Sequence, residues 1–335
     1  MAAIFAVTLP FFALVAAGYW AAARHLLPGS AIPGLNTFVL FFALPCMLFR
    51  FGQSTPLLQL LNPAVLGVYL LAAALVVGFT IALTLSARVG MKDASFGALV
   101  AAFPNSGFMG VPLLVGVMGP AAAGPVICTI LADMLVTSSV CLGLAQAGGA
   151  GAAGGRAAAW RALRGALSNP LPWSIALGAA AGVSGLALPG PVQAIVNMLA
   201  NAASPVALFT IGAVLWRSGD PAHRAVDIPD HATPPPPPTP LAAIVPVAAV
   251  KLLLHPLLVL LLGASARQMG VPLSDFQLTA LALTAALPSA SNVSLLAERY
   301  GADNGRVARI ILVTTVLAFF SFTGLASLLG VQPAG

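Results

Sequence analysis

The chain has 335 residues, of which 59% are apolar and only 7% charged, against roughly 25% charged in ordinary soluble domains. A water-soluble fold of this size could not cover its surface, so composition places the chain in a lipid bilayer. A formal net charge of +6 serves in a membrane chain to orient it, and no nucleic-acid partner is expected.

The first apolar run, near residues 4–23, ends at Arg24. It lacks the positive n-region of a secretory signal and reads as a first transmembrane helix with its N-terminus outside. Charges and Pro/Gly clusters bound further spans near 32–51, 64–86, 94–118 and 122–145. A Gly/Ala-rich connector, AGGAGAAGG at 147–155, follows. From Arg164 to Arg217 there is no Asp, Glu, Lys or Arg in between, room for two spans of about 20 residues, placed near 171–188 and 192–216. Residues 218–240 end in HATPPPPPTP, a polyproline-like linker too polar and stiff for lipid. The last spans lie near 241–262, 275–297 and 308–330, about ten in all. Cys46, Cys128 and Cys141 all sit in apolar runs and read as small hydrophobes.

Lys and Arg test this count, because successive loops alternate sides. The loops after spans 1, 3, 5, 7 and 9 hold Arg24; Arg88 and Lys92; Arg156, Arg161 and Arg164; Arg217 and Arg224; and Arg299, Arg306 and Arg309. That is eleven of the fourteen basic residues, with only Arg50 and Arg267 opposite and Lys251 inside a span. The odd-numbered loops are therefore expected in the cytoplasm and both termini outside, in the inner (plasma) membrane.

The chain also repeats itself. ALPCMLFRFG at 43–52 matches ASPVALFTIG at 203–212, aligning Pro45, Leu48, Phe49 and Gly52 with Pro205, Leu208, Phe209 and Gly212. AAFPNSGFMGVPLL at 101–114 matches AALPSASNVSLLAE at 285–298 around Pro104 and Pro288. With five helices per half, the second copy enters the membrane upside down, the arrangement that secondary transporters use. The first repeat is expected over 1–146, a cytoplasmic connector over 147–169, and the second repeat over 170–335 with its cytoplasmic linker at 218–240.

Spans 4 and 9 are expected to be broken. Pro104, Asn105, Ser106, Gly107, Gly110 and Pro112 crowd the middle of one, and Pro288, Ser289, Ser291, Asn292 and Ser294 occupy the equivalent place in the other. Proline deletes a backbone donor, and freed backbone groups in lipid need a protein or water-filled lining. Single breaks of this kind are often only repaired kinks; two at matched positions of inverted halves point to a substrate site. The N-terminal ends of the resumed half-helices suit a carboxylate. The expected substrate-binding residues are Pro104, Asn105, Ser106, Gly107, Pro288, Ser289 and Asn292.

Two ionisable residues lie deep in spans, Asp133 in the fifth and Lys251 in the eighth. Such residues cost roughly 2.5–3.5 kcal/mol each on insertion scales and usually face a cavity or one another. They are expected to form a functional charge pair; the bland alternative is that each hydrogen-bonds a neighbouring helix. No metal site or cofactor is expected: His223, Asp227 and His231 stand in a proline-rich linker with no rigid surroundings to orient ligands.

FPNSGFMGVPLL, LPSASNVSLLAERYG, NPLPWSIALG, ASPVALFTIG and VKLLLHPLL resemble the auxin efflux carrier family in its short bacterial, malonate-transporter-like form, in order and over nearly the whole chain. The resemblance implies a fold similar to bile-acid/sodium symporters, with a transport domain of helices 3–5 and 8–10, a scaffold of helices 1, 2, 6 and 7, and helices 4 and 9 crossing. It also implies a homodimer and elevator-like alternating access. The crossover would carry Pro104 with Asn105 and Pro288 with Asn292, and Lys251 and Asp133 would lie close behind it, where related transporters place cations, with Lys251 standing in for a coupling ion and Asp133 either balancing it or carrying a proton. The polyproline linker has no counterpart in the family pattern.

The fold class expected is thus an all-α integral membrane protein of about ten helices. Its expected function is secondary transport of small organic anions such as carboxylates, with export as a candidate direction. Sodium-coupled organic-anion uptake is the alternative, and a channel or sensor a more distant one. An enzyme would need a nucleophile–base or metal constellation, and His255, the histidine within a span, has no acidic residue nearby in sequence.

Overall fold

The computed structural model describes residues 2–56, 60–86, 89–147, 160, 164, 170–219 and 241–332. The connector at 147–169, apart from Ala147, Trp160 and Arg164, and the linker from residue 220 to 240, with His223, Asp227 and His231, lie outside them.

Among the described residues every regular element is a helix. The first three are α1 (Ala2–Ala23), α2 (Ala31–Ser54) and α3 (Pro63–Thr84). The Asn62 side chain caps α3 by accepting from the N–H groups of Ala64 and Val65, and Pro63 in the first turn forfeits no helical bond. Then come α4a (Met91–Ala102), α4b (Ser106–Met118) and α5 (Pro120–Gln146). The second half holds α6 (Pro170–Ser184), α7 (Gly190–Gly219), α8 (Leu241–Gln268), α9a (Asp275–Ala285), α9b (Asn292–Arg299) and α10 (Asn304–Leu328).

Seven helices among the described residues, α1, α2, α3, α5, α7, α8 and α10, are long and apolar enough to cross a membrane. The other three expected spans correspond to the two interrupted helices and to α6, whose 15 described residues fall short of the ~20 a span needs. Several hydroxyls inside the helices are satisfied locally: Thr80, Thr284, Thr315 and Thr323 each donate to the carbonyl four residues back.

α7 lies along α1, and α2 lies along α6. Glycine lets both pairs close up, backbone against backbone. A Cβ on Gly18 would overlap the Phe209 carbonyl oxygen, and one on Gly212 that of Val15. In the other pair a Cβ on Gly178 would overlap the Phe49 carbonyl, and one on Gly52 would stand 2.7 Å from the Ile175 oxygen. Phe209, Gly212, Gly178 and Ile175 stand 160 positions after Phe49, Gly52, Gly18 and Val15 respectively.

The interrupted helices meet at their breaks. α4a stops at Ala102, before Pro104, and α9a stops at Ala285, before Pro288. The backbone groups freed there pair across the gap: Asn105 N–H donates to Pro288 C=O at 2.8 Å, and Ala290 N–H to Phe103 C=O at 2.9 Å. This short antiparallel bridge sets Pro104 opposite Ser289, one residue beyond the proline-on-proline alignment expected from the repeats. The price of breaking two helices in the membrane interior is met by these reciprocal bonds.

Candidate functional site

Beside the bridge lies a small cavity of about 30 Å³. Its polar wall is Pro104, Asn105, Ser106, Gly107 and Asn292; apolar side chains of α2 (Leu40, Leu44), the break itself (Phe103), α4b (Phe108), α5 (Ile130, Met134) and α6 (Leu171) close the rest. The volume admits water but falls far below the roughly 300–1,000 Å³ of small-molecule sites, so an organic cargo requires the walls to part. No lysine, arginine or histidine is among the described lining residues.

Five of the seven expected binding residues therefore share one cavity wall. Pro288 contributes its carbonyl to Asn105 N–H, and Ser289 lies behind, its N–H donating to Thr314 Oγ1 at 3.2 Å. Two side-chain oxygens at the break, Asn292 Oδ1 and Ser289 Oγ, are buried without a hydrogen-bond partner among the described residues. Asn105 is 4% exposed, and its carbonyl accepts from Met109 and Gly110 across the π-turn Ser106–Gly110 that opens α4b. The N–H groups of Asn105 and Ser106 donate to the carbonyls of Pro288 and Pro104, so the backbone of the break is paired where the turn begins.

Behind the break, Asp133 and Lys251 are both fully buried. Each sits in a π-turn, Asp133–Thr137 in α5 and Val250–Leu254 in α8, local widenings that often accompany functional positions. They do not touch as an ion pair. Tyr69 of α3 donates its hydroxyl to Asp133 Oδ2 at 2.7 Å, and Thr137 donates to Oδ1 at 3.0 Å. Lys251 Nζ donates to Ala285 C=O at 2.8 Å, at the end of α9a, and lies 3.3 Å from His255 Nδ1. The Tyr69 and His255 rings, one bonded to Asp133 and the other beside Lys251, stand 5.8 Å apart. Asp133 and Lys251 are each held by hydrogen bonds of their own.

Tyr69, Thr137 and His255 were not among the expected site residues. Thr137 and His255 each follow an ionisable residue by four positions, which puts them on the same helix face; Tyr69 carries no such signal. Arg306, counted with the loop charges, lies instead in the first turn of α10, 4% exposed against Gly97. Among the described residues no three His, Cys, Asp or Glu side chains are placed to hold a metal ion.

Compared with known proteins, residues 3–326 match the family model described as "Membrane transport protein". A "Putative malonate transporter" of Rhizobium meliloti (strain 1021) is 31% identical over 340 residues, covering 100% of this chain and 99% of the relative. "Uncharacterized transporter YfdV" of Escherichia coli (strain K12), and its counterpart in Shigella flexneri, are 25% identical over 316 residues, 93% of this chain and 92% of theirs. With an all-helical, multi-pass architecture and a match over nearly its full length, the chain belongs to the membrane transport protein family, that of the auxin efflux carriers.

Proposed function

We propose that this transporter is a secondary carrier of small organic anions, carboxylates among them, that binds its cargo at the meeting of the two broken helices. The observation that carries the reading is the cavity wall formed by Asn105, Ser106, Gly107 and Asn292 beside that bridge. Transport proceeds by elevator-like alternating access, with α3–α5 and α8–α10 moving against α1, α2, α6 and α7. Ten helices in two inverted five-helix repeats, 1–146 and 170–335, form the working unit in a homodimer. Support for the repeat is the constant shift of 160 positions between the glycine contacts of α1 with α7 and those of α6 with α2. Lys251 stands at the position of a coupling cation, with Asp133 as its counter-charge. The small cavity is read as one closed station of the cycle.

The test is counterflow in proteoliposomes over mono- and dicarboxylates, with and without pH and sodium gradients. Saturable counterflow of a carboxylate is expected, and its absence across the screen would remove the reading. A rate that rises with sodium would favour the uptake symporter instead, and unsaturable flux a channel. Asn105→Ala and Asn292→Ala are each expected to weaken cargo affinity by about 1–3 kcal/mol, the cost of a lost partner in a buried polar site. Unchanged affinity in both, at normal expression, would move the site elsewhere.

For orientation, the basic-residue asymmetry supports cytoplasmic placement of the linker 218–240 and external termini. Single cysteines at Ser218 or Ala232, in a background lacking Cys46, Cys128 and Cys141, should resist an impermeant thiol reagent in intact cells. Ready labelling from outside would overturn that orientation.

A further inference from the structure

Lys251 and His255 lie one turn apart on α8, both fully buried, with Nζ 3.3 Å from Nδ1. An ammonium offers donors only, so Nδ1 is the acceptor and the neutral imidazole keeps its proton on Nε2. That Nε2 is buried without a hydrogen-bond partner among the described residues. Burying a donor unpaired is costly, and an apolar side chain would fill the same space without that cost. The arrangement is a two-ended wire: a proton source on one ring nitrogen and an open end on the other.

We propose that Lys251 and His255 form the proton site of this transporter, with His255 relaying the proton that Lys251 gives up in each cycle. The inference rests on the transport reading above and adds the coupling ion to it. In the step, a Nζ–H bond breaks as Nδ1–H forms, and the Nε2–H proton leaves to a water molecule admitted when the site opens. Lys251 ends as a neutral amine, the imidazole ends neutral in its other tautomer, and one proton has left the protein. Reprotonation runs the same steps backwards.

The surroundings fit a proton better than a metal cation. Both Asp133 oxygens are engaged by Tyr69 and Thr137, and the Ala285 carbonyl is taken by Lys251, so the oxygens that a hard cation would gather are already occupied. Of the elements packed against α8, α3 brings Tyr69, which reaches Asp133 of α5. α9a brings Asp275, exposed at its start and paired with Arg267. α10 brings Arg306 and Arg309 in its first turns, and α4a brings Lys92 and Asp93 at its start. Cys128 and Cys141 are the thiols of α5. Among these described groups, His255 is the one within hydrogen-bonding reach of the ammonium that can both accept and pass on a proton.

The experiment uses the full chain in proteoliposomes with an entrapped pH dye, driven by a carboxylate that wild type exchanges in counterflow. Wild type should move protons together with cargo. His255→Asn keeps an acceptor near Nδ1 but cannot relay, and should lose coupled proton flux at least tenfold and flatten the pH profile of transport. Lys251→Arg is the second variant, because a guanidinium keeps the donor and the charge but does not release its proton; it should lose proton flux likewise. Counterflow in wild type without any proton movement would overturn the proton site while leaving the transport reading intact. An even fall in rate at every pH in His255→Asn, with the proton-to-cargo ratio unchanged, would make His255 structural and also overturn it. Proton flux retained in Lys251→Arg would do the same.

Discussion

Gly212→Ala is expected to destabilise the protein severely, because its new methyl group would overlap the Val15 carbonyl oxygen of α1. Neither partner of that contact can step aside: both are backbone of long helices packed along each other. Overpacking strain of about 1–3 kcal/mol is typical when a flexible side chain can yield, and here none is available. Gly178→Ala, against the Phe49 carbonyl, should cost a similar amount, since it makes the corresponding contact between α6 and α2. The control is Gly67→Ala or Gly78→Ala in α3, where an added Cβ meets nothing within 4 Å and helix propensity favours alanine by about 1 kcal/mol. Thermal unfolding of the purified protein in detergent should therefore drop sharply for Gly212 and Gly178 and stay level or rise for Gly67 and Gly78. An unchanged midpoint for Gly212→Ala would mean that α1 and α7 do not pack as described.

The breaks were legible in the sequence because proline has a backbone consequence wherever it stands, and Pro104 and Pro288 each fall just past the end of a half-helix. The close contacts were half legible: Gly52 and Gly212 surfaced as matched letters of a repeat, whereas the carbonyls they meet lie on other helices. Side-chain direction was not legible. A helix such as α3, PAVLGVYLLAAALVVGFTIALT, is apolar all round, so no periodic stripe says which face meets protein and which meets lipid. Nothing local therefore turns Tyr69 toward Asp133, or shows that Asp133 and Lys251 make no ion pair while the Tyr69 and His255 rings beside them stand 5.8 Å apart. The pairing of the two breaks was not in the sequence either. The repeats align proline with proline, whereas the bridge pairs Pro104 with Ser289, its bonds running through the N–H groups of Asn105 and Ala290 on either side. Arg306 looked like a loop charge because span ends read from hydropathy carry an error of two to four residues, enough to hide a guanidinium buried in the first turn of α10.

Asp133→Asn and Lys251→Met are each expected to abolish most transport and to lower stability, while the double variant recovers a large part of the stability. The reason is the asymmetry of buried charge: removing one member leaves the other uncompensated, at a cost of about 3–5 kcal/mol, whereas removing both exchanges a charged core for a neutral one. Lys251 lies ten residues into α8, which starts at Leu241, or ~15 Å along the axis at 1.5 Å per residue, too deep to escape by snorkelling. Asp133→Asn preserves the size of the side chain and an acceptor for Tyr69 or Thr137, so its effect reports charge and not packing. Lys251→Met keeps the stem and loses the bonds to Ala285 and His255. Because the two side chains form no ion pair, their coupling is carried through a low-dielectric interior and through Tyr69 and His255, the one bonded to Asp133 and the other beside Lys251. A four-member cycle read by thermal unfolding and by cargo exchange against pH measures it, with an interaction energy of about 0.5–3 kcal/mol expected. Additive losses would sink the pairing and leave two separate hydrogen-bonded residues. An Asp133→Asn protein whose pH profile matches wild type would confine Asp133 to the role of counter-charge, with the proton carried on α8.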